Sequence, residues 1–94
     1  MIVSRTVLIT NRRGLHARAS AKFVTLAAGL PIEVHVAKAG PADGGGSVTG
    51  TSIMGLMMLG AAPGDSITIS ASGDGADAAV SALCDLVEAR FGED

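Results

Sequence analysis

Aromatic side chains are nearly absent from this sequence, which has no Trp, no Tyr and two Phe. Little is therefore available for stacking on nucleic-acid bases, and the net charge of −2 further disfavours nucleic-acid binding. No apolar run approaches the ~18 to 20 residues that span a bilayer, so we expect no membrane insertion. The first residues lack the basic region, apolar stretch and cleavage site of a secretory signal, which predicts a cytoplasmic protein.

Cysteine is also scarce, because Cys84 is the only one in the chain. It cannot form an internal disulfide, and its place in an apolar helical pattern predicts a small buried side chain. We find no spacing typical of a metal site, and the glycine run at 44–46 lacks the Lys and Ser or Thr of a P-loop. With 94 residues, we expect one domain over 1–94 that needs no cofactor.

Positive charge is concentrated in the first part of the chain. Six of the seven Lys and Arg residues lie within residues 1–38, where Glu33 is the only acid. The remaining segment, 39–94, holds the other eight acids and one base. This asymmetry could steer an anionic group or an acidic partner, or it could be a solvated surface without a specific role.

Hydrophobic periodicity predicts seven elements. Alternating apolar and polar residues indicate strands at 3–10, 32–37, 47–50 and 66–71. Helical spacing or composition indicates helices at 17–28, 52–59 and 76–91. The order βαββαβα predicts an α+β fold, an open-faced β-sandwich in which three helices cover one face of a four-stranded, mostly antiparallel sheet.

Local signals set the expected ends of the helices. Gly29 is suited to end the first helix, Thr51 or Ser52 to cap the second, and Asp74 to cap the last. His35 falls on the polar side of a strand, where an exposed histidine without a special role is expected.

The segment Gly14-Leu15-His16-Ala17-Arg18 lies where the first strand gives way to a helix. The first N–H groups of a helix lack internal partners and point outward at its positive end, which makes an anion site. A neutral histidine there is a competent nucleophile towards phosphorus. Arg18 could clamp phosphoryl oxygens, the free amides of Ala17 and Arg18 could add hydrogen bonds, and Gly14 would permit a close approach.

Three motifs in this order resemble those of the HPr family. They are Gly-Leu-His-Ala-Arg at 14–18, Thr-Ser-Ile-Met-Gly at 51–55 with Met-Met-Leu-Gly at 57–60, and Ile-Thr-Ile-Ser-Ala-Ser-Gly at 67–73. The resemblance covers nearly the whole chain and implies the same open-faced sandwich. It also implies a monomeric bacterial phosphocarrier, not an enzyme. Enzyme I, charged by phosphoenolpyruvate, would phosphorylate His16 to a pros-phosphohistidine, and an EIIA-type protein would accept the group.

The resemblance implies a second site at Ser52, which matches the serine phosphorylated by HPr kinase in many bacteria. Ile53, Met54 and Met57 match the surface that docks partners. A phosphate at the start of a helix is favoured by the helix dipole, and its charge could weaken binding of an acidic partner surface. Plain helix capping would also account for Ser52, and core packing would account for the methionines.

Two residues depart from the family pattern. Ala19 stands where Pro is common after the arginine, and Arg13 stands where relatives often have a small polar residue. The loop 40–46 is longer than in compact members, and we assign it no function. The runs Ile9-Thr10-Asn11 and Gly-Leu-Met-Met-Leu-Gly at 55–60 lean towards the nitrogen-related regulatory branch rather than sugar uptake.

Two other functions remain open. An HPr-like docking regulator could act through Ser52 phosphorylation without carrying phosphate. A small enzyme could use His16 as a general base, but such a histidine usually needs an orienting carboxylate, and Glu33 is the only acid before residue 43.

Overall fold

The structure, a computed structural model, describes residues 2–39 and 46–93 and contains one four-stranded sheet. Its strands are β1 (Ile2–Leu8), β2 (His35–Lys38), β3 (Val48–Thr49) and β4 (Ser66–Ser72). Their order across the sheet is β1-β4-β2-β3, and each neighbouring pair is antiparallel. β4 pairs with β1 along its full length and with β2 on its other side, so it is central.

The described part of the chain also contains three α-helices, namely α1 (Ala17–Ala28), α2 (Ile53–Met58) and α3 (Ala76–Glu88). A short 3-10 turn, Arg90–Gly92, follows α3. Helix α3 packs on β1 and β4, and α1 contacts both α2 and α3. The predicted order βαββαβα and the α+β open-faced sandwich are confirmed.

The core lies between the helices and the sheet, where the predicted periodicities place it. Ile67, Ile69 and Ala71 of β4 are buried, and the polar residues between them are only half-buried. The last predicted apolar stripe is buried at every position: Ala76, Val80, Leu83, Val87 and Phe91. Cys84 is a free thiol in this core, as expected, and burial raises its pKa.

Three strands are shorter than predicted, and β3 keeps only Val48–Thr49 of the predicted 47–50. β1 ends at Leu8 rather than Thr10. The N–H of Ile9 still donates to the carbonyl of Asp65 (2.8 Å), but the carbonyl of Ile9 accepts from Gly64 N–H (3.0 Å) rather than from Asp65, so the regular pairing with β4 stops there. β2 begins at His35 rather than residue 32, although Val34 and Val36 are both buried. The predicted alternation is therefore correct where the predicted strand ends are not.

The helix ends follow the sequence signals at two of three predicted caps. Gly29 ends α1, and Ser52 caps α2 with its side chain. The predicted Asp74 cap is wrong, because Gly75 is the N-cap of α3 and no side chain bonds there. Gly75 has a φ of 88°, a left-handed conformation that glycine adopts without the Cβ clash of other residues.

Two further predictions concern His35 and the loop at 40–46. The His35 side chain is about half exposed (44%), and its Nε2 lies 3.6 Å from the Glu33 carboxylate. The loop predicted at 40–46 lies outside the described residues except for Gly46. No helix in the described ranges is long and apolar enough to cross a bilayer.

Candidate functional site

A tight turn at Gly14 brings the chain into α1. Gly14 has a φ of +65°, and a Cβ added there would lie 2.5 Å from the carbonyl oxygen of Ala61. The next residue, Leu15, donates its N–H to that same carbonyl (3.0 Å) and buries its side chain in the core. Only glycine fits this left-handed position against the backbone of the loop after α2. The turn therefore fixes the position of His16 immediately before α1.

His16 is the N-cap residue of α1. Its backbone is extended (φ −78°, ψ −177°), and its carbonyl accepts the first helical hydrogen bond, from Ser20 N–H (2.9 Å). Its Nδ1 accepts from the N–H of Arg18 at 3.3 Å. An atom that accepts a hydrogen bond carries no proton, so the partners assign the ring proton to Nε2 and leave a lone pair on Nδ1.

The two predicted backbone donors differ in their surroundings. The Arg18 N–H is not free, since it donates to the imidazole of His16. Ala17 is exposed at the first position of α1, where a helical N–H has no partner in the preceding turn. An anion that displaced the weak 3.3 Å bond would meet both amides at the positive end of the helix dipole.

Among the described residues, four cationic side chains share a cleft with His16. A cleft of about 350 Å³ is lined by His16, Gly92, Glu93 and the cations Arg12, Arg13, Arg18 and Lys22. The predicted second cation, Arg13, is therefore beside the site, and two further cations join it. A cleft with this many positive groups favours a doubly charged anion.

A carboxylate also enters the cleft, from the far end of the chain. Glu93 Oε2 lies 3.0 Å from Nε2 of His16, and Oε1 lies 3.2 Å from it. Both side chains are more than four-fifths buried (18% and 16% exposed). The hydrogen bond from His16 is the main cause that holds the pKa of Glu93 below its ordinary value of 4.5. Glu93 is thus ionised at neutral pH and accepts the hydrogen bond that Nε2–H donates.

Asn11, in the turn before α1, donates a second hydrogen bond to this carboxylate. It is fully buried, and its Nδ2 donates to Gly14 O (2.9 Å) and to Glu93 Oε1 (3.2 Å). Its Oδ1 has no hydrogen-bond partner among residues 2–39 and 46–93. Reversing the amide would aim that oxygen at two acceptors, so the network fixes the orientation of Asn11.

Sequence reasoning missed Glu93, Asn11, Arg12 and Lys22. The argument that His16 lacks an orienting carboxylate was wrong, because it considered only acids near His16 in the sequence. Glu93 is separated from His16 by 77 positions, and no local pattern links the two. The cluster Asn11-Arg12-Arg13-Gly14 offered a signal for the turn, but it gave no information about what the turn contacts.

The second predicted site lies on α2. Ser52 Oγ accepts from the N–H of Gly55 at 2.9 Å, so Ser52 is an N-cap as predicted. Only Leu56 of this helix is fully buried. An apolar patch is left in solvent, consisting of Ile53, Met54, Met57 and Met58, exposed by 40%, 68%, 40% and 79%. In residues 2–39 and 46–93, no three His, Cys, Asp or Glu residues form a group able to hold a metal ion.

Replacing Gly14 by Ala should destabilise the protein by about 2–4 kcal/mol, because it adds left-handed strain and a backbone clash. Gly60→Ala is the matched control. Its φ of +68° is nearly the same, but no described atom lies within 4 Å of the added Cβ. We expect the control to cost only about 1–2 kcal/mol in urea denaturation. If both variants lost the same free energy of unfolding, the clash between the added Cβ at position 14 and the Ala61 carbonyl would contribute nothing.

The His16–Glu93 contact should be visible in the titration of Glu93. A lowered carboxyl pKa in the folded state stabilises the protein fully above 4.5, and that contribution is lost as the pH falls through the lower value. In His16→Ala we expect the pKa of Glu93 to rise towards 4.5, measured by NMR of the carboxyl carbon. Asp65 is an internal control, because its pKa is lowered mainly by the Ala62 N–H and should not respond.

Comparison with known proteins gives a consistent family. Residues 3–89 match the family model described as "PTS HPr component phosphorylation site". The phosphocarrier protein HPr of Neisseria meningitidis is 42% identical over 92 residues, covering 98% of each chain. The phosphocarrier protein NPr of Shewanella violacea is 38% identical over 91 residues, covering 97% of this chain and 94% of the relative.

Solved structures agree with the fold. The crystal structure of HPr-C-His from Thermoanaerobacter tengcongensis superposes with a TM-score of 0.84, at 38% identity and 98% coverage of both chains. An HPr from Bacillus anthracis gives a TM-score of 0.80 at 34% identity, covering 92% of this chain and 96% of that one. The chain therefore belongs to the HPr family of phosphocarrier proteins of the bacterial phosphotransferase system, whose members carry phosphoryl groups and are not enzymes.

Proposed function

We propose that this protein accepts a phosphoryl group on Nδ1 of His16 from Enzyme I, which is charged by phosphoenolpyruvate, and passes it to an EIIA-type protein. The observation that carries the proposal is the unprotonated Nδ1 at the N-terminus of α1, on a histidine that lies in a cleft lined by four cations. A neutral nitrogen nucleophile next to positive charge suits attack on an anionic phosphoryl group.

The transfer step needs little rearrangement of this chain. The Nδ1 lone pair forms the N–P bond while the bond between phosphorus and the donor breaks, and its electron pair leaves with the donor. The Arg18 N–H, which bonds to Nδ1 beforehand, is then close enough to donate to a phosphoryl oxygen instead. Transfer to the acceptor is the reverse of this step, with the electron pair returning to Nδ1.

Charge in the cleft explains how the phosphoryl group would be held. A phosphoryl dianion gains from each nearby cation, and the guanidinium of Arg18 can bond two of its oxygens at once. Arg18 follows His16 by two residues on the same helix start, so it is the clamp we propose. Arg12, Arg13 and Lys22 would add positive potential that helps an acidic partner surface approach.

Labelled phosphate should pass from phosphoenolpyruvate through Enzyme I to the wild-type protein, giving an acid-labile label. His16→Ala should take up none. Arg18→Ala should be slower by about 10- to 100-fold, because it removes a charged clamp on the transition state. His35→Ala is the matched control, since this histidine lies in β2 outside the cleft, and it should match the wild type.

The outcomes divide clearly. Absence of label on the wild type, with an Enzyme I of proven activity, would overturn the carrier proposal. Label that persists in His16→Ala would place the acceptor elsewhere. Transfer of the label from this protein to an added EIIA-type protein supports the proposed acceptor. If the label stays on this protein when the EIIA-type protein is present, that acceptor is wrong.

We further propose that phosphorylation of Ser52 by an HPr kinase/phosphorylase regulates docking. Ser52 directly precedes the exposed patch of Ile53, Met54, Met57 and Met58, which offers partners an apolar surface. A phosphate there would add about −1.5 to −2 charge at the edge of that patch. An acidic partner surface would then be repelled, while the start of α2 would still tolerate the charge.

Ser52→Asp should slow uptake from Enzyme I by about 10-fold, because its charge adjoins the docking patch, and Asp still caps the helix. Ser52→Ala removes the cap without adding charge, so its uptake rate should stay near that of the wild type. Ser72→Asp adds the same charge at the exposed end of β4 and is the charge control. Equal rates for the two Asp variants would contradict a specific role of Ser52.

The proposal implies a cellular setting. A carrier of this size would act in the cytoplasm as a monomer, since each transfer needs access to His16 by a different partner in turn. The relatives include proteins named HPr and NPr. The acceptor therefore serves either sugar uptake or a nitrogen-related relay. The motifs at 9–11 and 55–60 favour the nitrogen-related relay.

A further inference from the structure

The turn at Arg90–Gly92, which follows α3, places the Glu93 side chain next to His16. Arg90, Phe91 and Gly92 have consecutive left-handed φ values of 58°, 55° and 74°. Arg90 and Phe91 both have a Cβ and are strained in this conformation, which persists only where surrounding contacts impose it. The chain therefore turns sharply here rather than extending α3.

The contacts that impose the turn are specific. The Phe91 ring is 1% exposed and packs in the core. Its carbonyl accepts from Nζ of Lys22 on α1 at 2.7 Å. The Glu93 N–H donates to the carbonyl of Arg90 at 2.8 Å, which closes the turn. A buried ring and a charged hydrogen bond thus fix the backbone that carries Glu93.

The carboxylate itself is held from two sides. It accepts from Nε2 of His16 through both oxygens and from Nδ2 of the buried Asn11. Asn11 is tied in turn to the carbonyl of Gly14, two residues before His16. The carboxylate is therefore fixed relative to the turn that sets the histidine.

The nitrogen that Glu93 contacts decides what the contact does. Glu93 bonds to Nε2, on the side of the ring away from the helix, and Nδ1 faces the Arg18 N–H. A carboxylate that blocked the acceptor would have to lie against Nδ1. The observed arrangement instead leaves Nδ1 facing the weak Arg18 N–H bond, which an incoming phosphoryl group can displace, and keeps the proton on the other nitrogen.

Attack by Nδ1 changes the charge of the ring. The neutral imidazole keeps its Nε2 proton while Nδ1 forms the N–P bond, so the ring becomes a cation. A carboxylate hydrogen-bonded to Nε2–H stabilises that developing charge, as the buried carboxylate does for the imidazolium of a serine-protease triad. Among residues 2–39 and 46–93, the other charged groups that line the cleft are the cations Arg12, Arg13, Arg18 and Lys22, which oppose a positive charge on the ring, so Glu93 is the compensating anion within that set.

We propose that Glu93 is a positioning residue that holds the proton of His16 on Nε2, keeps Nδ1 as the nucleophile and stabilises the imidazolium formed on phosphorylation. This inference deepens the proposed function and rests on it. Glu93 also repels the incoming phosphoryl group, so removing it changes two opposing effects in the transfer rate. The tautomer of the free protein is the readout that separates the effect on the ring.

The first experiment is nitrogen-15 NMR of the His16 ring at a pH where it is neutral. In the wild type we expect the proton on Nε2 and an unprotonated Nδ1. In Glu93→Ala the weak bond from Arg18 N–H to Nδ1 remains but the acceptor of Nε2–H is lost, so the Nδ1-protonated tautomer should become populated beside the other one. Glu93→Gln should keep the wild-type tautomer, because its amide oxygen can still accept from Nε2–H. Glu88→Gln, at the exposed end of α3, removes a carboxylate outside the cleft and should leave the spectrum unchanged.

The second experiment measures phosphoryl uptake from Enzyme I by the same variants. Glu93→Gln should be slower by about 10-fold, since it keeps the hydrogen bond and loses the charge that stabilises the cationic ring. Glu93→Asp should recover part of the rate. Circular dichroism of each variant checks that the fold is retained.

An unchanged tautomer in Glu93→Ala would overturn the positioning role, whatever the transfer rates are. Uptake by Glu93→Gln at or above the wild-type rate would overturn the stabilisation of the imidazolium and indicate that Glu93 opposes phosphate entry. Failure of the carrier proposal would look different, because the wild type would then take up no label while the tautomer result would still stand.

Discussion

His16 can act as the N-cap of α1 because the chain before it turns left-handed at Gly14 against the carbonyl of Ala61. That contact joins the segment before α1 to the loop after α2, two parts of the chain that are distant in sequence. From it follow the extended backbone of His16, the Nδ1 that faces the Arg18 N–H, and the position of Asn11 beneath the turn. A residue with a side chain at position 14 would disturb all of these together.

The charges of the cleft have opposite tasks. Under the proposed function, the cations of residues 12, 13, 18 and 22 attract the phosphoryl group, whereas the carboxylate of Glu93 balances the charge of the histidine ring. The two roles are compatible because they address different nitrogens of one imidazole. The cost is strain, since two residues with a Cβ adopt left-handed backbone to bring Glu93 into place. Burial of Phe91 and its bond to Lys22 offset that strain.

Helix α2 shows how a short element can serve a surface rather than the core. It anchors through Leu56 alone and leaves four large apolar side chains in solvent. Exposed apolar patches of this kind often mark sites where proteins interact. The patch directly follows the Ser52 cap, so the phosphorylation we propose there would place a negative charge next to that surface.

The sequence by itself determined the element order, the inward faces and the start of α1, because periodicity, glycine and capping residues act over a few neighbouring positions. Ala17–Ala28 was predicted with both ends correct, and the stripe from Ala76 to Phe91 is buried as predicted. The predicted cap of α3 was wrong because the helix starts one residue later than an Asp74 cap requires, with Gly75 in a left-handed conformation at the N-cap and no side-chain hydrogen bond there. The pairing of Glu93 with His16 was decided only by the tertiary structure. It depends on Phe91 reaching the core and on Lys22 holding its carbonyl, and no local pattern in the chain encodes contacts between residues so far apart.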